Sequence, residues 1–227
     1  TGVILAIIVV AIVVIAAIVF MERAQRRLLI QYPKRQVGNR MFQGDTSHLP
    51  LKLNTAGVIP PIFASSLLLL PATLAGFSDT TPLPNWASAI LAALGHGQPL
   101  YMLFYASMIV FFAFFYTALV FNPADTADNL KKQSGFIPGI RPGQRTAEYI
   151  DYVLTRITVV GAIYLVLICL LPEFLIASTG VPFYLGGTSL LIVVTVTMDT
   201  VAQIQSHLLA HQYEGLIKKS RLRGRRG

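Results

Sequence analysis

Apolar residues in this chain run in long blocks separated by polar stretches, and the block length matches a bilayer better than one face of a soluble helix. A hydrocarbon core of about 30 Å needs about 20 residues of helix, and five stretches reach that length with no charge near their middles. They are 1–21, 53–77, 100–121, 152–171 and 182–203. The first starts abruptly, with neither an initiator Met nor a basic region ahead of it. That excludes the signal-peptide pattern and predicts that the chain begins inside a larger protein. The second contains Pro60, Pro61 and Pro71, and the third is crowded with Phe and Tyr on every helical face, as suits a helix among lipid and neighbours. In the fourth, Arg156 lies in the first turn, where its stem can snorkel to the interface. A turn over 172–181 separates it from the fifth. The expected fold is an all-α membrane protein with five transmembrane helices.

The charges between the blocks orient them. Segment 22–52 has seven Lys or Arg against two acids, and segment 78–99 has no base. Segment 122–151 has four bases, segment 172–181 has none, and the tail 204–227 has six. Basic and base-free segments alternate, as five successive crossings require under the positive-inside rule. The loops 22–52 and 122–151 and the tail are therefore expected in the cytosol, and 78–99 and 172–181 on the outer face. Within 78–99, the stretch from Trp86 to Leu94, bounded by prolines and Gly95, is too short to span and predicts an interfacial helix.

Composition narrows the function. Of 227 residues, 54% are hydrophobic and only 12% charged, with a mean hydropathy of +0.63. A soluble domain carries about 25% charged residues, so half that complement cannot coat a globular surface. A net charge of +8 would suit a nucleic-acid binder, but the bases sit between the spans instead of along one face. The single cysteine, Cys169, lies in an apolar run, and the four histidines lack the neighbours of a metal motif; no metal and no cofactor are expected. His48 and His207, the histidines nearest span ends, have no serine at matching depth, so no catalytic residues are assigned and the chain is not read as an enzyme. Ser65, Ser66, Thr188, Ser189, Thr195 and Thr197 fit packing or back-bonding to the preceding turn. Asn54 differs, because a carboxamide at the start of a span needs partners or water, which suggests a polar cluster at a seam between helices.

The two long loops have local architecture. From Glu22 through Arg27 to Tyr32 the pattern predicts that the first helix continues into water, with Gly38 and Gly44 marking a turn back. In the second loop, Asn122-Pro123 opens a short helix with Asp125 and Asp128 early and Lys131 and Lys132 late, complementing the helix dipole, and Gly135 ends it. Two Pro-Gly pairs then flank one arginine in PGIRPG (138–143), a rigid turn with Arg141 at its tip. Residues alone leave three readings open: a channel, half of a secondary transporter, or a membrane scaffold. The lack of a mid-span charge disfavours a proton-coupled or carboxylate ion site.

Four stretches identify a family: ERAQRRLLIQYPKRQVGNR (22–40), SHLPLKLNTAGVIPPIFASS (47–66), YTALVFNPADTADNLKKQSGFIPGIRPGQRT (116–146) and VPFYLGGTSLLIVV (181–194). Collinear and correctly spaced, they resemble the SecY family of protein-export channel subunits over the whole chain, in register with its second half, transmembrane helices six to ten and the tail. The resemblance implies one half of a pseudo-symmetric ten-helix channel, the halves being inverted repeats. It implies that Ile62 and Ile192 contribute to an apolar pore ring, and that Asn54, Ser65 and Ser66 belong to the lateral gate. It further implies that Arg141, with Arg26, Arg27, Lys34, Arg35 and Arg40, docks the SecA motor or the ribosome. Contact of these bases with ribosomal RNA would be salt-sensitive. Asn39 stands where many relatives place a second base beside Arg40. The implied partners are SecE, SecG, SecA, the ribosome, precursor polypeptides and the bilayer. The plug, the other gate helix and the remaining ring residues would belong to the N-terminal half.

Overall fold

The computed structural model describes residues 2–33, 35–37, 40–42, 44, 46–76, 84–95, 98–179 and 187–223. Its order is α1 (Gly2–Arg23), β1 (Gln25–Gln31), β2 (Arg35–Val37), β3 (Arg40–Phe42), β4 (Thr46–Lys52), α2 (Ile59–Gly76), α3 (Asn85–Ala93), α4 (Pro99–Val120), α5 (Pro123–Lys132), α6 (Gln144–Thr179) and α7 (Gly187–Arg223). Four helical stretches are long and apolar enough to cross a membrane, within Ile4–Arg23, Pro99–Lys132, Gln144–Ser178 and Thr188–Ala210. The second expected span, 53–77, is a shorter apolar helix. Pro60 and Pro61 fall in the first turn of α2, where their missing N–H groups cost no intrahelical bond, and both are buried.

These helices form a chain of neighbours: α2 packs on α4, α4 on α6, α6 on α7 and α7 on α1. Their shared core joins Val14 and Ile18 of α1, Ala64 of α2, Tyr105 and Ile109 of α4, Leu165, Ile168 and Cys169 of α6, and Leu191 of α7. The outward faces stay apolar, with Phe20, Leu103, Leu119 and Leu167 about two-thirds or more exposed. Apolar residues point both inward and outward, as a bundle solvated by lipid requires.

Three expectations are corrected. The first helix does not run on to Tyr32; it stops at Arg23, and Gln25–Gln31 becomes a strand paired antiparallel with Thr46–Lys52, Leu28 opposite Leu49 and Arg26 opposite Leu51. Leu28 and Ile30 are buried while Arg27 and Leu29 are exposed, so period-two burial within the hairpin prevails over helix continuation. The chain does not turn at Pro172 either. It stays helical to Thr179 with Pro172 buried, as membrane helices allow where neighbouring groups or local adjustment re-satisfy the carbonyl that a proline frees. Finally, α7 continues past the expected span end to Arg223. The start of the fifth expected span, 182–186, lies outside the described residues, and the short helix expected between Trp86 and Leu94 is α3.

At 36 residues α6 is about 54 Å long, well beyond one bilayer core, and it belongs to two cores. Its later turns enter the bundle. Its first turns supply Ile150, Val153 and Ile157 to a second cluster with Leu28, Ile30 and Leu51 of the hairpin and Leu130 of α5. The two polar loops thus form one folded platform, and α6 is its stem.

Candidate functional site

The tip of the platform is built by local backbone chemistry. Asn122 caps α5: its Oδ1 accepts from the Ala124 N–H at 3.1 Å, its Nδ2 donates to Asp125 at 2.9 Å, and Pro123 occupies the first helical position. At the other end Ser134, not Gly135, takes the left-handed conformation, with φ of 58°. The Gly135 N–H reaches the Leu130 carbonyl at 2.9 Å and the Ser134 N–H reaches Lys131 at 3.1 Å, the paired bonds of a Schellman close. Gly135 is required for another reason. A Cβ there would lie 3.1 Å from both Ile30 and Tyr32, so the glycine lets the second loop seat on the hairpin. Gln31 and Phe136 then exchange two backbone bonds, at 2.9 and 3.0 Å, which tie the loops together.

Beyond this tie, Gly139 and Gly143 adopt φ of 84° and 113°, and the Thr146 hydroxyl donates to the Arg141 carbonyl at 3.0 Å. Arg141 is exposed on this braced turn, at a cleft of about 720 Å³ that it lines with Arg145, Glu148, Tyr149 and Tyr152. Arg26 and Arg27 are exposed on β1 and open onto different clefts. Arg26 shares one with Arg156, whose guanidinium lies 4.9 Å above the Tyr152 ring, and Arg27 shares another with Glu22, Lys52 and Asp199. Arg35 and Arg40 fall on β2 and β3, which pair with each other; Lys34 and Asn39 lie outside the described residues.

Asn54 sits where platform meets bundle, only 5% exposed. Its Nδ2 donates to Glu22 Oε2 at 3.1 Å and to the Gly57 carbonyl at 3.2 Å. Gly161 of α6 permits this placement, since a Cβ there would stand 2.7 Å from the Leu53 carbonyl oxygen. Leu53, Asn54, Ala113, Thr117, Thr158 and Gly161 enclose a gap of only about 10 Å³. Glu22 and Gly161 were not singled out in the sequence. A lone acid closing an uncharged span was the available signal for the first, whereas the second had none.

On α2, Ile62 is 38% exposed, and the hydroxyls of Ser65 and Ser66 both donate to its carbonyl, at 3.0 and 2.8 Å. Ile192 is half-buried on α7. The Thr197 hydroxyl likewise bonds back to Val193, at 2.7 Å, as expected of Thr in a span. Among the described residues no group of three or more His, Cys, Asp or Glu could hold a metal ion.

The family model described as SecY matches residues 1–201. The protein translocase subunit SecY of Vibrio cholerae is 57% identical over 210 residues, which is 91% of this chain and 47% of that protein. Its namesake in Escherichia coli K12 is 56% identical over 222 residues, covering 98% of this chain and 50% of its own length. The chain thus spans about half the length of the relatives it matches. Two solved structures share the fold at 18% identity. One, described as a protein conducting channel, gives a TM-score of 0.58 over 88% of this chain and 48% of its own. The other, a SecY protein studied for its plug domain, gives 0.61 over 88% and 49%.

Proposed function

This chain belongs to the SecY family, and from that premise we propose that it is the C-terminal half of a protein-conducting channel. The channel moves unfolded secretory proteins across the bacterial cytoplasmic membrane and releases apolar segments into lipid through a lateral gate. In this reading the platform and the tail face the cytosol, and the spans provide wall and gate. SecE and SecG complete the complex with the N-terminal half, and SecA or the ribosome engages Arg141 and the bases of the hairpin. The chain performs no chemistry of its own and needs no cofactor. Energy comes from ATP hydrolysis by SecA or from the ribosome.

The observation that carries this reading is the uncovered apolar face of α2 around Ile62. The helix packs on α4 and α3, and Ser65 and Ser66 turn their hydroxyls back onto the Ile62 carbonyl. A wall whose polar groups are already occupied makes no sequence-specific hydrogen bond to a passing chain. An aliphatic constriction of this kind resists ions by dewetting and spreads around any polypeptide, whereas a transporter needs a polar site matched to one substrate.

The test is photo-crosslinking from Ile62 and from Ile192, in the full-length protein in native membrane, to a secretory precursor arrested midway. Crosslinks from both positions to the precursor are expected. Labelling of lipid or neighbouring helices alone, at both positions, would remove the pore assignment.

A further inference from the structure

Which way the Asn54 carboxamide faces is decided by its partners. The Gly57 carbonyl can only accept, so the atom 3.2 Å from it is the amide nitrogen, and the same nitrogen lies 3.1 Å from Glu22 Oε2. Both amide hydrogens are thereby used within the chain, and among the described residues no donor reaches the Asn54 Oδ1. Two backbone features prepare the arrangement. Gly57 has φ of 64°, which turns its carbonyl back toward Asn54, and Gly161 lets α6 approach the Leu53–Asn54 backbone without a Cβ between them. Glu22 comes from the last turn of α1, 32 residues earlier, so the bond also ties the end of one span to the start of the next.

We infer that Glu22 is a positioning residue for the gate: with the Gly57 carbonyl it takes up both amide hydrogens of Asn54 and leaves the carboxamide oxygen as the atom able to bond further, so that the seam contact made by Asn54 is one in which it accepts, and the group it meets across the seam is a hydrogen-bond donor. The inference rests on the gate reading of Asn54. An asparagine free to rotate would serve donors and acceptors alike. One held by a carboxylate and a carbonyl discriminates between them, because a facing acceptor would leave two buried oxygens in contact without a proton.

The test uses the full-length protein in membranes and a graded series of segments near the threshold between export and lateral insertion. Asn54→Leu removes the seam contact at constant size and should raise the inserted-to-exported ratio roughly ten-fold, the scale of one hydrogen bond. Glu22→Met, equal in length but with no acceptor, should move the ratio in the same direction. Glu22→Gln keeps an acceptor and should stay near the parent. Joining Glu22→Met to Asn54→Leu should add nothing, because both act through one bond. If Asn54→Leu shifts the threshold and Glu22→Met leaves it unchanged, or if the two shifts add, the positioning role is overturned while the gate reading stands. If Asn54→Leu itself has no effect, the gate reading falls and this inference with it. Should Glu22→Met fail to accumulate, Glu22→Gln decides alone: a shift as large as that of Asn54→Leu would overturn the assignment.

Discussion

The platform and the bundle share α6 as a stem but dispose of polarity in opposite ways. In the platform, Leu28, Ile30, Leu51, Leu130 and Ile150 turn inward while Arg26, Arg27 and Arg141 remain exposed, and side chains such as Asn122 cap the helix ends. In the bundle, large apolar side chains face outward as well as inward, and several hydroxyls bond back to their own helix, as Thr158 does to the Leu154 carbonyl at 2.8 Å, while the buried hydroxyls of Thr117, Tyr164 and Thr195 find no partner among the described residues. Water accepts any polar group turned toward it, so the platform can spend polar side chains on caps and tips. Hydrocarbon accepts none, and a hydroxyl there is best satisfied by the preceding turn. Asn54 lies on the boundary between these regimes, which is why it is buried and also fully engaged as a donor.

If the two regions are separate cores on one stem, they should fail separately. Ile150 is fully buried in the platform core, so Ile150→Ala should cost about 2–5 kcal/mol there. Hydrogen exchange on the full-length protein should show faster exchange at the Gln31 and Phe136 amides, with the helical amides around Leu165 unchanged. Equal loss of protection in both regions would mean that they fold as one unit. Gly161→Ala strikes the boundary instead, because its Cβ would meet the Leu53 oxygen at 2.7 Å. A cost of about 1–3 kcal/mol is expected, read as a lower melting temperature in detergent, and an unchanged value would remove the close approach of α6 to this segment. The smallest effect should come from Ser134→Gly, which relieves a left-handed serine at φ of 58°. A gain of about 0.5 kcal/mol confined to the platform is expected, and a loss would show that the serine contributes more than its backbone strain takes away.

Much of this protein was legible in the chain itself. Long uncharged blocks mark membrane helices because span length and hydropathy are additive properties of consecutive residues. The cap at Asn122-Pro123, the acids and bases at opposite ends of α5, and the rigid turn under Arg141 were likewise readable, since each depends on neighbours within a few positions. The hairpin was not legible: Leu49, Leu51 and Leu53 do alternate with Pro50 and Lys52, but the run from Glu22 to Tyr32 reads as a helix continuing into water.

What the sequence by itself determined is therefore the set of apolar helices, their capped connections and the family. Tertiary structure alone decided that Gln25–Gln31 pairs with Thr46–Lys52, that Phe136 closes onto Gln31, and that Glu22 holds Asn54. It also decided that helix persists through Pro172 and that Gly161 is a point of close approach. Each of these joins groups from 15 to more than 100 positions apart or depends on packing around a defect. Such contacts are selected by the burial and hydrogen bonding of the assembled fold, which no local window of residues encodes.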